Sequence, residues 1–240
     1  MDLGLRDRTV LVAGSSRGIG LAIARAFVAE GCRVVLTGRD EQALDAACGA
    51  MHAPDRVLAV AGDLARPEAI AAVLREARTC WGSGVDVLVA NVGSGTARAG
   101  WALTDADWDR AFEVNLHVTR RLAEAVLPSM IERGSGSLVF IASIVGLESV
   151  NAPLTYSAAK AALVSYAKNL AREVARRGVR VNAVAPGNVL FDGGSWARKL
   201  QDDPEKVRRY IDAEVPAGRF GTPDEIADVV AFLASDRARF

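Results

Sequence analysis

Residues Thr9–Glu30 have the sequence TVLVAGSSRGIGLAIARAFVAE, and this stretch decides the fold. The first five residues, Thr9–Ala13, are mainly apolar and predict a strand buried on both faces of a parallel sheet. A glycine-rich turn follows at Gly14–Gly20, and the pattern from Gly18 predicts a helix that runs to Glu30. The sequence therefore predicts a strand, a tight turn and a helix in immediate succession.

This junction has the features of an anion site. Glycines allow a tight turn and the close approach of a pyrophosphate, while the following helix presents free N–H groups and the positive end of its dipole. A glycine triplet alone is equally compatible with a structural turn, but its position at the first strand–helix junction favours a ligand site. The candidate residues are Gly14, Ser16, Arg17, Gly18, Ile19 and Gly20.

Short apolar runs alternate with helical patterns along the rest of the chain. The predicted strands are Thr9–Ala13, Arg33–Thr37, Val57–Ala61, Val85–Ala90, Ser137–Ile141 and Arg180–Val184. The predicted helices are Gly18–Glu30, Glu41–Met51, Pro67–Trp81, Thr104–Arg133, Pro153–Arg177 and Pro223–Ala234. This order predicts a doubly wound parallel sheet with helices on both faces, a Rossmann-like three-layer α/β sandwich. Residues 1–240 are expected to form a single domain.

One region departs from the alternation. Residues Asn188–Arg219 follow the sixth predicted strand without a short crossover, and they include Trp196 and Tyr210. A long insertion at the carboxyl end of such a sheet is where ligands bind, so it is interpreted as a substrate loop. The alternative is a surface excursion without function.

Composition and charge restrict the possible partners. The chain has 29 Lys and Arg residues against 29 Asp and Glu, which favours neither nucleic acid nor an anionic membrane as a partner. Its three cysteines are scattered and predict reduced thiols and no metal site. The N-terminus is too polar for a signal peptide, and no apolar run reaches the ~20 residues that span a bilayer. A cytoplasmic protein is expected.

The second predicted strand indicates the dinucleotide. NAD-binding units place a carboxylate near this point to bind the adenine ribose, whereas here the strand ends in Gly38-Arg39. Asp40 is interpreted as the cap of the next helix. Arg39 and Arg17 together suit a 2′-phosphate, unless both are simply solvated surface arginines. The predicted cofactor is NADP(H).

Four polar residues are candidates for catalysis. Tyr156 and Lys160 are four residues apart and share one face of a predicted helix, where an ammonium is expected to lower the pKa of the phenol. Ser143 follows the fifth strand and can bond a substrate oxygen, while Asn115 lies in a long helix and can bond water or a backbone group. Taken alone, the Tyr/Lys pair would be interpreted as an ordinary helix-surface contact, and it is the complete set of residues on this order of elements that favours catalysis.

Over nearly its whole length the chain resembles the short-chain dehydrogenases/reductases, and is similar to the 3-oxoacyl-acyl-carrier-protein reductases and bacterial ketone reductases among them. The matching motifs are Gly14-Ser15-Ser16-Arg17-Gly18-Ile19-Gly20, Asp63-Leu64, Asn91-Val92-Gly93, Asn115, Ser143, Tyr156-Ser157-Ala158-Ala159-Lys160 and Pro186-Gly187. The family's Asn-Asn-Ala-Gly appears as Ala90-Asn91-Val92-Gly93, and Ala13 replaces its threonine. A third departure is Asn188-Val189-Leu190-Phe191, where a threonine usually contacts the carboxamide.

The resemblance implies a role for each matched residue. Tyr156 is the general acid/base, Lys160 lowers its pKa and binds the nicotinamide ribose, Ser143 orients the substrate oxygen, and Asn115 holds a water in a proton relay. Further cofactor contacts are implied for Asp63, Leu64, Asn91, Gly93, Pro186, Gly187 and, through its backbone, Val189.

The predicted activity is the NADP(H)-dependent reduction of a ketone or 3-oxoacyl-type carbonyl to an alcohol. The alternatives are a sugar or polyol dehydrogenase that works oxidatively, and a non-catalytic dinucleotide-binding sensor. The mainly apolar loops around the site suggest a moderately hydrophobic small-molecule substrate. The two longest predicted helices have apolar stripes that either pair in a homodimer or homotetramer or belong to the core. Related chains continue into a seventh strand, whereas this sequence stops at Phe240.

Overall fold

The computed structural model describes residues 2–240 and has a six-stranded parallel sheet at its centre. The strand order is β3-β2-β1-β4-β5-β6, which confirms the predicted doubly wound topology. The chain reverses its winding direction between β1 and β4, so a crevice opens there at the carboxyl ends of the strands.

The strands are β1 (Thr9–Ala13), β2 (Arg33–Gly38), β3 (Val57–Ala61), β4 (Val87–Ala90), β5 (Gly136–Ile141) and β6 (Val179–Val184). The helices are α1 (Gly18–Ala29), α2 (Glu41–Gly49), α3 (Pro67–Trp81), α4 (Asp105–Phe112), α5 (Val118–Glu132), α6 (Leu154–Val174), α7 (Ser195–Asp202), α8 (Pro204–Glu214) and α9 (Pro223–Ala234). Single 3₁₀ turns cover Ile144–Gly146, Ala175–Arg177 and Asp236–Ala238.

Successive residues of each strand face opposite helix layers, as the pleat requires. In β1, Leu11 and Ala13 pack with α3, α5 and α6, whereas Val10 and Val12 pack with α1, α2 and α9. All four are fully buried. The three-layer arrangement is therefore as predicted, and β6 is an edge strand within residues 2–240.

The predicted helix Thr104–Arg133 is wrong as a single α-helix. A five-residue π-helical segment, Glu113–His117, separates α4 from α5. A π segment inserts one residue without breaking the helix, so the apolar periodicity on either side reads as one run. Asn115 lies in the middle of this segment.

The insertion after β6 contains two helices that the sequence analysis did not predict. These are α7 and α8, and Val207 is the only buried side chain that they contribute. Asp203 caps α8 by accepting a hydrogen bond from the Lys206 N–H at 2.9 Å, and Pro204 occupies its first turn. This cap signal was readable, but the helices are too polar to give an apolar period.

The remaining differences concern element ends. β4 begins at Val87, two residues later than predicted, and α2 ends at Gly49. No helix within the described residues is long and apolar enough to cross a membrane.

Candidate active site

The carboxyl ends of β1, β4 and β5 bring the predicted site residues to one edge of the sheet. β1 pairs with β4, and β4 pairs with β5, all in parallel register. The segments that follow these three strands therefore start side by side. They are the glycine loop after β1, residues 91–95 after β4, and residues 142–143 after β5.

The glycine loop needs its glycines for two different reasons. Gly14 and Gly18 have φ values of 73° and 58°, which favour glycine. A Cβ atom on Gly20 would lie 2.1 Å from the Gly14 carbonyl oxygen, so only glycine lets α1 begin this close to the loop. The first N–H groups of α1 have no partner within the helix. The loop therefore presents backbone donors to an anion at the crevice.

Two buried polar residues that the sequence analysis missed hold this loop. The Thr37 hydroxyl accepts a hydrogen bond from the Gly14 N–H at 3.2 Å, and the Ser15 hydroxyl donates to the Val12 carbonyl at 2.8 Å. The Ser15 N–H also donates to the Thr37 carbonyl, and the Thr37 N–H donates to the Ser15 hydroxyl. Both residues are fully buried. Their only sequence signal was a hydroxyl residue at the end of an apolar run, which does not identify a partner.

The side chain of Asn91 also fixes the glycine loop. Its amide donates to the Gly14 carbonyl at 2.8 Å, across the junction between β1 and β4. The resemblance implied a cofactor contact for Asn91, and in this structure its visible partner is the loop itself. The contact ties the two strands at the point where the winding reverses.

Arg17 and Arg39 lie on neighbouring segments at the surface of the same loop. A Cβ atom on Gly38 would lie 3.4 Å from the Ser16 side chain. The next residues along the chain are Arg39 and Arg17, so the two arginines lie on segments that run side by side. Both arginines are exposed, and neither forms an ion pair within residues 2–240. Asp40 caps α2 by accepting from the Ala43 N–H at 3.1 Å, as predicted. No carboxylate therefore takes the place expected of an NAD-type acid.

The other residues implied for the cofactor lie around the crevice. Asp63 is exposed and accepts from the Ala65 N–H at 3.1 Å, whereas Leu64 is buried in the core. The Pro186 carbonyl accepts from the Ile144 N–H at 3.1 Å, which joins the segments after β5 and β6. Val189 is buried and forms a parallel bridge with Gly221, and Gly187 is exposed beside Ile144.

Asn115 bonds backbone groups rather than an open space. Its side-chain oxygen accepts from the Ser94 N–H at 2.9 Å, and its amide donates to the carbonyls of Ser94 at 3.1 Å and Ala111 at 3.0 Å. Both amide hydrogens are thereby used. Of the two roles that the sequence left open, the structure has the backbone one, and the π segment aims Asn115 at the chain after β4.

Lys160 is a buried lysine with one visible partner. Its Nζ atom donates to the Ile141 carbonyl at 2.7 Å, and burial lowers the pKa of the ammonium to about 8. Its Nζ and the side-chain oxygen of Asn115 each lie 3.0 Å from the position that a Cβ atom on Gly93 would take. Gly93 is therefore required by close approach of both side chains.

Tyr156 and Ser143 are brought together from different elements. Ser143 follows β5, and Tyr156 lies in the first turn of α6, with its ring against Gly95. Burial raises the pKa of Tyr156, and a hydrogen bond with the Ser143 side chain partly opposes that rise. The lowering of this pKa that was predicted for Lys160 is not found, since burial has the larger effect and shifts the pKa upward.

This arrangement keeps a proton on the phenol at neutral pH. A phenol with a raised pKa keeps its proton, and the adjacent serine hydroxyl can orient an acceptor oxygen toward it. Backbone donors, two exposed guanidinium groups and a buried ammonium lie along the same crevice. The site can therefore hold an anionic ligand beside a protonated phenol.

The chain is similar to known proteins over nearly its whole length. The family model described as enoyl-(acyl carrier protein) reductase matches residues 13–240. The 3-oxoacyl-[acyl-carrier-protein] reductase FabG of Escherichia coli K12 is 39% identical over 238 residues, which cover 99% of this chain and 94% of that protein. The 2-(S)-hydroxypropyl-CoM dehydrogenase 3 of Xanthobacter autotrophicus is 36% identical over 242 residues, covering 98% and 92%.

Two solved structures are also similar to this chain over nearly its whole length. The L-sorbose reductase of Gluconobacter frateurii, complexed with NADPH and L-sorbose, superposes with a TM-score of 0.92 at 34% identity. The match covers 100% of this chain and 94% of that one. An oxidoreductase of the short-chain dehydrogenase/reductase family from Burkholderia thailandensis gives a TM-score of 0.86 at 38% identity, covering 97% and 87%.

Proposed function

Because the chain belongs to the short-chain dehydrogenase/reductase family, we propose that it is an NADP(H)-dependent reductase of a carbonyl compound. Its oxidoreductase class follows from the family. The cofactor and the direction of the reaction are part of this proposal. So are Tyr156 as the general acid and a ketone or a 3-oxoacyl-type compound as the substrate.

The protonation state of Tyr156 supports reduction as the direction of the reaction. Burial raises the pKa of Tyr156 although Ser143 opposes the rise, so the phenol holds a proton at neutral pH. The product of carbonyl reduction needs a proton on its oxygen, and the phenol can supply it.

Each residue of the centre then has a defined task. The Ser143 hydroxyl donates to the substrate oxygen and orients it toward the Tyr156 hydroxyl, from which the oxygen receives its proton. Lys160 uses one of its three N–H donors on the Ile141 carbonyl, which leaves two for a ribose hydroxyl. Asn115 binds the N–H and the carbonyl of Ser94, and so holds the segment from Gly93 to Gly95 in place.

The residues present fit an NADP(H) dinucleotide. The glycine loop and the start of α1 offer N–H donors to the pyrophosphate, and Arg17 and Arg39 suit the 2′-phosphate. When bound, the nicotinamide supplies the hydride, and the protein supplies position and electrostatics. The similar L-sorbose reductase was solved with NADPH, which supports the choice of NADP(H).

A ketosugar is the second candidate substrate, and one specific observation favours it. L-sorbose reductase has 34% identity and a TM-score of 0.92 over the whole of this chain. The same centre run in reverse would oxidise a sugar or polyol. A non-catalytic sensor is disfavoured, because it needs no such combination of Asn115, Ser143, Tyr156 and Lys160. A cytoplasmic location and assembly into a homodimer or homotetramer stay predictions.

The test is oxidation of NADPH by the purified protein, followed by absorbance. The panel contains ketones, 3-oxoacyl thioesters, quinones, ketosugars and an enoyl thioester, each also assayed with NADH. Oxidation of NADPH, but much less of NADH, by a carbonyl compound is the expected result. Turnover of the enoyl thioester alone would contradict carbonyl reduction, and no turnover by a protein that binds NADPH would favour the sensor.

A further inference from the structure

The turn after β6 lies directly on the glycine loop. A Cβ atom on Gly18 would be 2.6 Å from the ring of Phe191, so the ring rests against the bare backbone of Gly18. A Cβ atom on Gly193 would be 3.3 Å from Nη1 of Arg17. Phe191 therefore covers Gly18, and Gly193 lies beside the exposed side chain of Arg17.

The covered surface is one that a dinucleotide needs. Gly18 is the first residue of α1, where free N–H groups can receive the pyrophosphate, and its lack of a side chain lets a phosphate approach the backbone. A benzene ring has no acceptor for the N–H groups at the start of α1, whereas a pyrophosphate offers anionic oxygens to them. The ring and the pyrophosphate cannot both lie against Gly18, and the anion is the better partner for the N–H groups.

The turn is held in a way that restricts movement to four residues. Upstream, the Leu190 N–H donates to the Gly221 carbonyl at 3.0 Å, and the Gly221 N–H donates to the Asn188 carbonyl at 2.9 Å. Downstream, α7 begins at Ser195. Between these anchors lie Phe191–Gly194, with two glycines of which Gly193 has a φ of 73°.

Building on the proposed NADP(H) dependence, we propose that Phe191 occupies part of the pyrophosphate site in the dinucleotide-free protein and that binding requires the turn Phe191–Gly194 to leave Gly18. The Phe191 ring then competes with the pyrophosphate for the position against Gly18, and this competition weakens binding of the dinucleotide. The apparent affinity for the dinucleotide is reduced by the fraction of molecules in which the ring covers the loop.

The experiment compares two ligands by calorimetry. NADPH reaches Gly18, whereas 2′-AMP carries the 2′-phosphate but has no pyrophosphate. If the turn is open in about a tenth of the molecules, Phe191→Ala binds NADPH about tenfold more tightly than the wild type. The affinity for 2′-AMP stays unchanged. Phe191→Val also removes the ring, adds no hydrogen-bonding group and should give the same gain.

The matched control is Phe232→Ala. It removes the same ring from the exposed face of α9, outside the insertion, and should leave both affinities unchanged. Equal or weaker NADPH binding by both Phe191 variants, with the wild type binding NADPH, would overturn the competition while leaving the proposed function intact. A protein that binds NADPH neither as wild type nor as variant would overturn the proposed function and the competition with it.

Discussion

The buried centre of the site and the insertion after β6 are held in opposite ways. In the centre, Asn115 and Lys160 are almost completely buried, and each is bonded to backbone carbonyls of the segments beside it. In the insertion, α7 and α8 contribute one buried side chain, and aromatic contacts around Trp196 hold it. The centre is fixed by hydrogen bonds within the sheet edge, and the insertion by a small, half-buried aromatic cluster.

This difference separates chemistry from selection. A general acid works only at a fixed position, and buried hydrogen bonds supply that rigidity because breaking them leaves unsatisfied groups. The insertion follows the carboxyl end of β6, the edge at which sheets of this kind bind ligands, and few contacts resist its movement. Changes in the centre should therefore reduce turnover or stability. Changes at the exposed rim of the site, which comprises the insertion together with Arg17 and Arg39, should mainly alter which ligand is bound.

The largest expected effect is that of Tyr156→Phe. Removal of the phenolic proton should lower turnover by about a thousandfold, because general acid catalysis is lost, while the affinity for NADPH stays near that of the wild type. Tyr166→Phe, in the same helix but stacked on Phe140 in the core, is the control. Substantial turnover by Tyr156→Phe would break the assignment of chemistry to the centre.

Lys160 gives the next effect, in the dependence of stability on pH. Burial lowers its pKa to about 8 from the ordinary 10.5. Between these values the unfolded chain still holds a proton that the folded protein has lost, so the free energy of unfolding rises with pH. Lys160→Met should lack this rise, which amounts to about 3 kcal/mol. Denaturation of both proteins between pH 7 and 11 measures the difference.

The exposed Lys168 of the same helix provides the control, since Lys168→Met should keep the wild-type slope. Parallel curves for wild type and Lys160→Met would mean that Lys160 is not held in its neutral form by burial.

Asn115→Ala should lower the free energy of unfolding by about 1–3 kcal/mol, since backbone groups of Ser94 and Ala111 lose their partner. Turnover should fall as well, because the chain that passes Tyr156 and Lys160 loosens. Chemical denaturation and steady-state rates measure the two effects. Asn169→Ala, which removes an exposed bond to the Ser165 carbonyl, should change stability by less than about 0.5 kcal/mol. Equal effects of the two variants would mean that the buried hydrogen bonds of Asn115 contribute no more than the exposed one of Asn169.

The smallest expected effect is at the rim. Each of Arg17→Ala and Arg39→Ala should weaken NADPH binding by about tenfold, the value of one charge-assisted contact, and leave NADH binding unchanged. Titration with both nucleotides measures the ratio, and Arg25→Ala, on the exposed face of α1, is the control. An equal loss for NADH would show that these arginines do not read the 2′-phosphate.

The sequence by itself determined the sheet and the identity of the motif residues. Apolar runs such as Thr9–Ala13 must be buried on both faces, and the helices between them leave few topologies open. The glycine loop and the cap at Asp40 were also readable, because tight turns and helix starts depend on residues close in sequence. Local chemistry of this kind is fixed by the chain itself.

The tertiary structure decided how those residues are used. The bonds of Asn115 to Ser94, the bond of Lys160 to Ile141 and the position of the Phe191 ring all depend on partners distant in sequence. The same holds for the direction of the Tyr156 pKa, which burial sets against the expectation from spacing alone. Burial and long-range hydrogen bonds exist only once the segments after β1, β4, β5 and β6 meet at one edge of the sheet, so no local pattern encodes them.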